Sequence, residues 1–189
     1  YAIIILLTEN CDSLLPTIRS RCVTLTMNPV EKDKICTYLE NKFQLEPEQA
    51  QIAANYCQGN IGKAIRFASS SDFIEMKNQV LKLLKNLDSM DIASIIDTIK
   101  EFSTHKNDIN DYLDLMLLWY RDVLMFKVTK DANLLLYSDE YSAISEQATK
   151  RDYENIENII AAIDKAKVRL KANVNFDVTI ELMILAMKD

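Results

Sequence analysis

The apolar positions of this chain change period near residue 29. "YAIIILL" (1–7) is an unbroken apolar run of strand length, the pattern of a strand buried on both faces of a parallel sheet. "CVTLTM" (22–27) alternates Val23, Leu25 and Met27 with Thr24 and Thr26, and this period of two predicts a second strand. From residue 29 onward the repeat becomes helical. Asn28, Pro29 and Glu31 read as N-cap, N1 and N3 of a first helix that carries Ile35, Leu39 and Phe43 on one face. Pro47 opens a second helix, and Gly59 closes it as the residue after the C-cap. Asn60 caps a third, with Ile61, Ala64, Ile65 and Ala68 facing inward.

Beyond Gly62 there is neither Pro nor Gly, so consecutive helices are expected to the end. The Ser69–Ser70–Ser71 run is a natural joint, and Asp72 with Glu75 makes a capping signature. The apolar spacing predicts helices over 73–87 (Phe73, Met76, Val80, Leu84) and 90–102 (Ile92, Ile95, Ile96, Ile99, Phe102). A third, over 108–128, is apolar on all sides of its middle, is about 30 Å long, and should run through the core. Residues 129–150 carry one short helix near 140–148. Helix 151–172 presents Tyr153, Ile156, Ile160, Ile163 and Leu170. Asn175 caps a last helix with Phe176, Ile180, Met183 and Leu185 inside. The expected fold is mainly α, in three parts: 1–28, 29–70 and 71–189. A parallel sheet needs crossover units that this sequence does not supply, so 1–28 reads as the end of an α/β unit whose larger part lies outside it.

Charge narrows the functions. Among 189 residues, 28 carboxylates outnumber 22 Lys and Arg, for a net charge of −6. Any contact with nucleic acid must be local or made through partners. Cys11, Cys22, Cys36 and Cys57 include no C-x-x-C pair, and His105 is the sole histidine, which argues against a zinc site. The cysteines read as small apolar residues kept reduced in a cytosol. "LDLMLLWYRDVLMF" (113–126) comes closest to a membrane span, but Asp114, Arg121 and Asp122 interrupt it. Trp119, Tyr120 and the methionines read as core. His105 has no neighbouring Ser or Cys, so catalysis by this chain alone is not expected. In "GNIGKA" (59–64) two residues, not four, separate the glycines, and Ala64 stands where a phosphate loop needs Ser or Thr.

"LLPTIRSRC" (14–22) is the most specific stretch. Pro16 can start a helical turn that displays Arg19 and Arg21 at the carboxyl end of the preceding strand, where ligands of open α/β sheets gather. Two guanidinium groups there suit a phosphate. The other reading makes both arginines surface charges paired with Glu9 or Asp12. "DKAKVRLK" (164–171) sets Lys165, Lys167, Arg169 and Lys171 against the single acid Asp164. It is either a solvated helix face or a surface for neighbouring subunits or single-stranded DNA.

Ser20-Arg21-Cys22, after a strand ending in Thr8-Glu9-Asn10, resembles the Ser-Arg-Cys motif of AAA+ clamp-loader subunits, and the strand resembles their sensor-1 strand. "GNIGKAIRFA" falls where that family carries its sensor-2 helix in a three-helix lid. "AIDKAKVRLKANVNFDVTIELMILAM" looks like the end of the collar domain of bacterial loaders. The resemblance implies that 1–28 ends an AAA+ α/β domain, 29–70 is the lid and 71–189 is the collar. Motor subunits carry an Arg where Gly62 stands, and Lys63 is displaced by about 100° around the helix. With Gly59, Gly62 and Lys63 a degenerate sensor-2, the resemblance is to the non-motor subunits.

It implies further that Arg21 acts in trans on a neighbour's ATP. Ser20 and Cys22 would shape the turn and its burial, and Arg19 would be a second phosphate or interface contact. No cofactor or metal would be held by this chain; ATP and magnesium would belong to partner subunits. Implied partners are gamma/tau-type motor subunits, the delta subunit, the sliding clamp and primer-template DNA. The setting is a cytoplasmic DNA-directed DNA polymerase III, with no membrane. A motor ATPase fragment and an unrelated helical interaction module are the alternatives.

Overall fold

The computed structural model describes residues 2–8, 10–69 and 72–188. Tyr1, Glu9, Ser70 and Ser71 lie outside the described residues, and with them the ends of the first expected strand, one of the two carboxylates considered for the arginines, and most of the serine joint. The protein is mainly α, and among the described residues there is no strand.

Both expected strands are therefore corrected. A β-strand exists as a member of a ladder, because its N–H and C=O groups need partners. Neither 2–7 nor 22–27 has one here, and their side chains lie open, with Ile3 and Leu7 at 93% and Met27 at 91% exposure. The apolar pattern is real, but among the described residues no surface covers it.

Helix α1 is a single turn, Pro16–Arg19. Helices α2 (Lys32–Phe43), α3 (Pro47–Tyr56) and α4 (Ile61–Ser69) pack on one another through Ile35, Leu39, Ala50, Ala53 and Ala64. Small alanines let α3 approach its neighbours closely. The start of α2 differs from the expected Asn28–Glu31 box. Pro29 lies against the α3–α4 turn instead, and the Val30 N–H donates to the Gly59 carbonyl at 3.0 Å. Gly59 has φ +82°, and a Cβ there would meet the Pro29 Cβ at 2.5 Å. Glycine is thus required both by conformation and by space. Phe43, expected inside, is 38% exposed at the end of α2.

The larger part comprises α5 (Asp72–Asn86), α6 (Ile92–Thr104), α7 (Ile109–Thr129), α8 (Tyr141–Lys150), α9 (Tyr153–Lys171) and α10 (Phe176–Lys188). Helix α7 is the axis: it packs on α5, α8 and α9, and Leu113, Met116, Trp119, Tyr120 and Val123 are fully enclosed. Each such large apolar side chain contributes roughly 1.5–3 kcal/mol on burial. Several polar groups carried into this core are paired, whereas the Tyr120 hydroxyl has no hydrogen-bond partner among the described residues. Trp119 Nε1 donates to Gln147 Oε1 at 3.0 Å, and Gln147 Nε2 donates to the Leu84 carbonyl at 2.9 Å. The Tyr137 N–H donates to Asp122 Oδ2 at 2.8 Å.

Caps follow the sequence at Asn60, whose Oδ1 accepts from the Lys63 N–H, and at Asn175, whose Oδ1 accepts from the Val178 N–H, both at 3.0 Å. On α6 and α10 the expected inward residues Ile95, Ile99, Phe102, Ile180 and Met183 are buried, but the face differs at its edges. Ile92, Ile96 and Leu185 are exposed, whereas Ile184 and Met187 are enclosed. Tyr153, expected on the buried face of α9, is also exposed.

Candidate functional site

The turn around Arg21 is built by short-range hydrogen bonds. The Asp12 N–H donates to Asn10 Oδ1 at 2.8 Å, which starts a tight turn over Cys11–Ser13. Pro16 at N1 then begins α1, where its missing N–H costs nothing. The chain leaves α1 through Ser20 N–H to the Pro16 carbonyl at 3.0 Å and Arg21 N–H to the Ile18 carbonyl at 3.0 Å. Ser20 Oγ donates to the Thr17 carbonyl at 3.2 Å, so Ser20 helps to close the turn.

The two arginines differ in their surroundings. Arg19 Nη1 lies 2.6 Å from Asp12 Oδ1, the surface pairing weighed from sequence. Arg21 is exposed and, among the described residues, pairs with no carboxylate. Cys22 is exposed too, contrary to the expectation that it is part of a buried turn. Cys57 alone of the four cysteines is buried, where apolar surroundings push its thiol pKa up.

The degenerate sensor-2 segment has a different environment. Lys63 lies on the first turn of α4, and its ammonium reaches across to α7, 3.0 Å from Asp111 Oδ1 and in hydrogen-bond contact with Asp114. Lys167 of α9 contacts the same Asp114. One turn along α4, Arg66 Nη2 donates to Asp111 Oδ2 at 2.8 Å, and Arg66 Nη1 lies 3.8 Å from Asp108 Oδ1. Gly62 leaves room beside the cap, since a Cβ there would sit 3.3 Å from Asn60 Oδ1. Burial pulls the Lys63 pKa down, but hydrogen bonds from Asp114 and Asp111 outweigh it and the net shift is upward. Burial pushes the Asp114 pKa up, but Lys167 and Lys63 outweigh it and hold the carboxyl below the usual range.

Sequence reasoning did not find this clamp. Asp114 entered it only as an interruption of an apolar stretch. The available signal was that a carboxylate on a helix apolar all round must be paired. Among the described residues no three His, Cys, Asp or Glu side chains are grouped to hold a metal ion, and no helix is long and apolar enough to cross a membrane.

A three-helix unit clamped by ion pairs to a helical bundle, with a proline-started turn carrying Arg19 and Arg21, defines a mainly α protein. No family model matches the chain. The chain is 30% identical over 188 residues to DNA polymerase III subunit delta' of Bacillus subtilis (strain 168). The match covers 98% of this chain and 56% of that protein, in its C-terminal half, so the chain spans about half the length of the relative.

Proposed function

We propose that the chain is the lid and collar of a non-motor, delta'-type clamp-loader subunit, with residues 1–28 ending its AAA+ α/β domain, 29–70 forming the lid and 71–189 the collar. Near-complete coverage by a delta' subunit supports this role in DNA polymerase III. In it, the exposed segments 2–7 and 22–27 are covered by the rest of the α/β domain. The exposed apolar rows on α6 (Ile92, Ile96) and α10 (Val178, Leu182, Leu185) are collar surface for the gamma/tau and delta subunits.

The observation that carries the mechanism is the difference between neighbours: Arg19 pairs with Asp12, whereas Arg21 is exposed on a hydrogen-bonded turn and pairs with no carboxylate among the described residues. A guanidinium stays charged at any working pH and forks onto phosphate oxygens. Placed at a neighbouring subunit's ATP, it stabilises the charge that builds on the transferred phosphoryl group. Such fingers contribute on the order of 10³–10⁵ in rate in GTPases. Lys63 is committed to Asp111 and Asp114, which leaves it no part in a nucleotide site.

The test is a loader reconstituted from the protein that carries this chain, with Arg21→Ala. Assembly with the motor subunits should persist, while ATP hydrolysis at the adjoining site should fall by about 10³. An unchanged rate contradicts the finger. Failure of the unaltered protein to associate with motor subunits favours an unrelated helical adaptor.

A further inference from the structure

Helices α5 and α6 are consecutive, joined by the tight turn Leu87–Ser89, yet they rest on different partners: α5 packs on α7, and α6 packs on α10. A groove opens between them as two adjoining hollows of about 410 Å³ and about 500 Å³, which share Gln79, Lys82 and Glu101. Leu83, Met90 and Phe102, all buried, form its floor, and Ile74 stands 64% exposed at one end. We propose that the groove docks an apolar segment of another protein, anchored by one lysine or arginine that meets Glu75 and Glu101.

The occupant follows from charge. Among the described residues the lining holds three carboxylates, Glu75, Asp97 and Glu101, against one cation, Lys82, which is exposed. Asp97 is answered by Lys100 at 3.1 Å, whereas Glu75 and Glu101, on facing helices, have no ion-pair partner among the described residues. Their field reaches the buried Tyr112 hydroxyl, which donates to Gln79 Oε1 behind the groove. Burial, then Glu101, Glu75 and Asp108, push the Tyr112 pKa up to about 12. A ligand cation placed here gains two carboxylates that the fold leaves unanswered, between helix walls that screen the pair less than open water does. The apolar floor adds surface removed from water. Asn78 and Gln79, on the α5 wall, carry amides that can bond the backbone of an extended segment. The groove is separate from the α6 row proposed above as collar surface. At about 100° per residue, Ser94, Asp97, Thr98 and Glu101 share one side of α6, and Ile92 and Ile96 lie on the other. The inference depends neither on that row nor on Arg21.

The experiment titrates the protein that carries this chain with a short peptide of alternating leucine and serine around one central arginine, and follows Gln79, Asn86 and Thr98 by nuclear magnetic resonance. Their signals should shift and saturate. Glu75→Gln with Glu101→Gln should weaken binding by about tenfold. Glu154→Gln with Glu157→Gln, the same charge change at exposed positions of α9, should alter it by less than about twofold. Thr98→Trp, which fills the groove without changing its charge, should also weaken binding by about tenfold. Circular dichroism of all three variants should match the unaltered protein.

Absence of binding overturns the proposal, as does equal loss in the two glutamate pairs. Equal affinity for the same peptide with serine in place of arginine overturns the cationic anchor. A concentration-dependent dimer that Glu75→Gln with Glu101→Gln dissociates overturns the foreign partner in favour of a second copy of this chain.

Discussion

The Lys63 ammonium of α4 and the Asp111 carboxylate of α7 lie 3.0 Å apart and join the three-helix unit to the bundle. The Asp111 side chain is nearly enclosed and the Lys63 side chain is three-quarters covered. Their pairing therefore acts where water screens little.

Removing the cation alone should be costly, because Asp111 and Asp114 would each lose one of two cationic partners, keeping only Arg66 and Lys167 respectively. Lys63→Met should lower stability by about 1–3 kcal/mol, read as a lower urea midpoint with unchanged slope. Arg19→Ala, which breaks only a surface pair with Asp12, should cost less than about 1 kcal/mol in the same measurement.

The clamp should also set a pH dependence. Asp114 has its folded pKa below the ordinary 3.8, so its contribution is present above that value and is lost as pH falls through the folded pKa. Lys63 has its folded pKa above the ordinary 10.5, so its contribution is complete below that value and is lost as pH rises through the folded one. Fully buried Asp122 acts in the opposite sense: burial raises its pKa against the pull of the Tyr137 N–H and Arg121, so its cost at neutral pH relaxes in acid. Asp114→Asn should flatten the acid limb of the stability profile, and Asp122→Asn should steepen it, in denaturation midpoints measured from pH 3 to 7, roughly the carboxylate range.

At Gly59 conformation and space act together. Gly59→Ala must strain a backbone at φ +82° and push on Pro29, so it should lower the melting midpoint and cost about 1–3 kcal/mol. Gly62→Ala, in a helix and beside only the Asn60 side chain, should change stability by less than about 1 kcal/mol in the same melt.

What the sequence made legible is local. Helices α5 to α10 begin and end within about two residues of the expected spans, because capping and 3.6-residue periodicity are written into neighbouring positions. The turn at Pro16 and the caps at Asn60 and Asn175 were legible for the same reason. Three features were not. Residues 2–7 and 22–27 show strand patterns without a ladder, since pairing depends on atoms elsewhere. Pro29 looked like a helix start and instead closes against Gly59, a contact decided by packing. Lys63 looked like a nucleotide residue out of register, whereas its Asp114 partner is 51 residues away, beyond any local pattern.

The central claim concerns one distance. In the assembled, nucleotide-bound loader, the Arg21 guanidinium should lie about 3 Å from a terminal phosphate oxygen of the adjoining subunit's ATP. A structure of that complex placing it more than about 10 Å away, a full Debye length, contradicts the account.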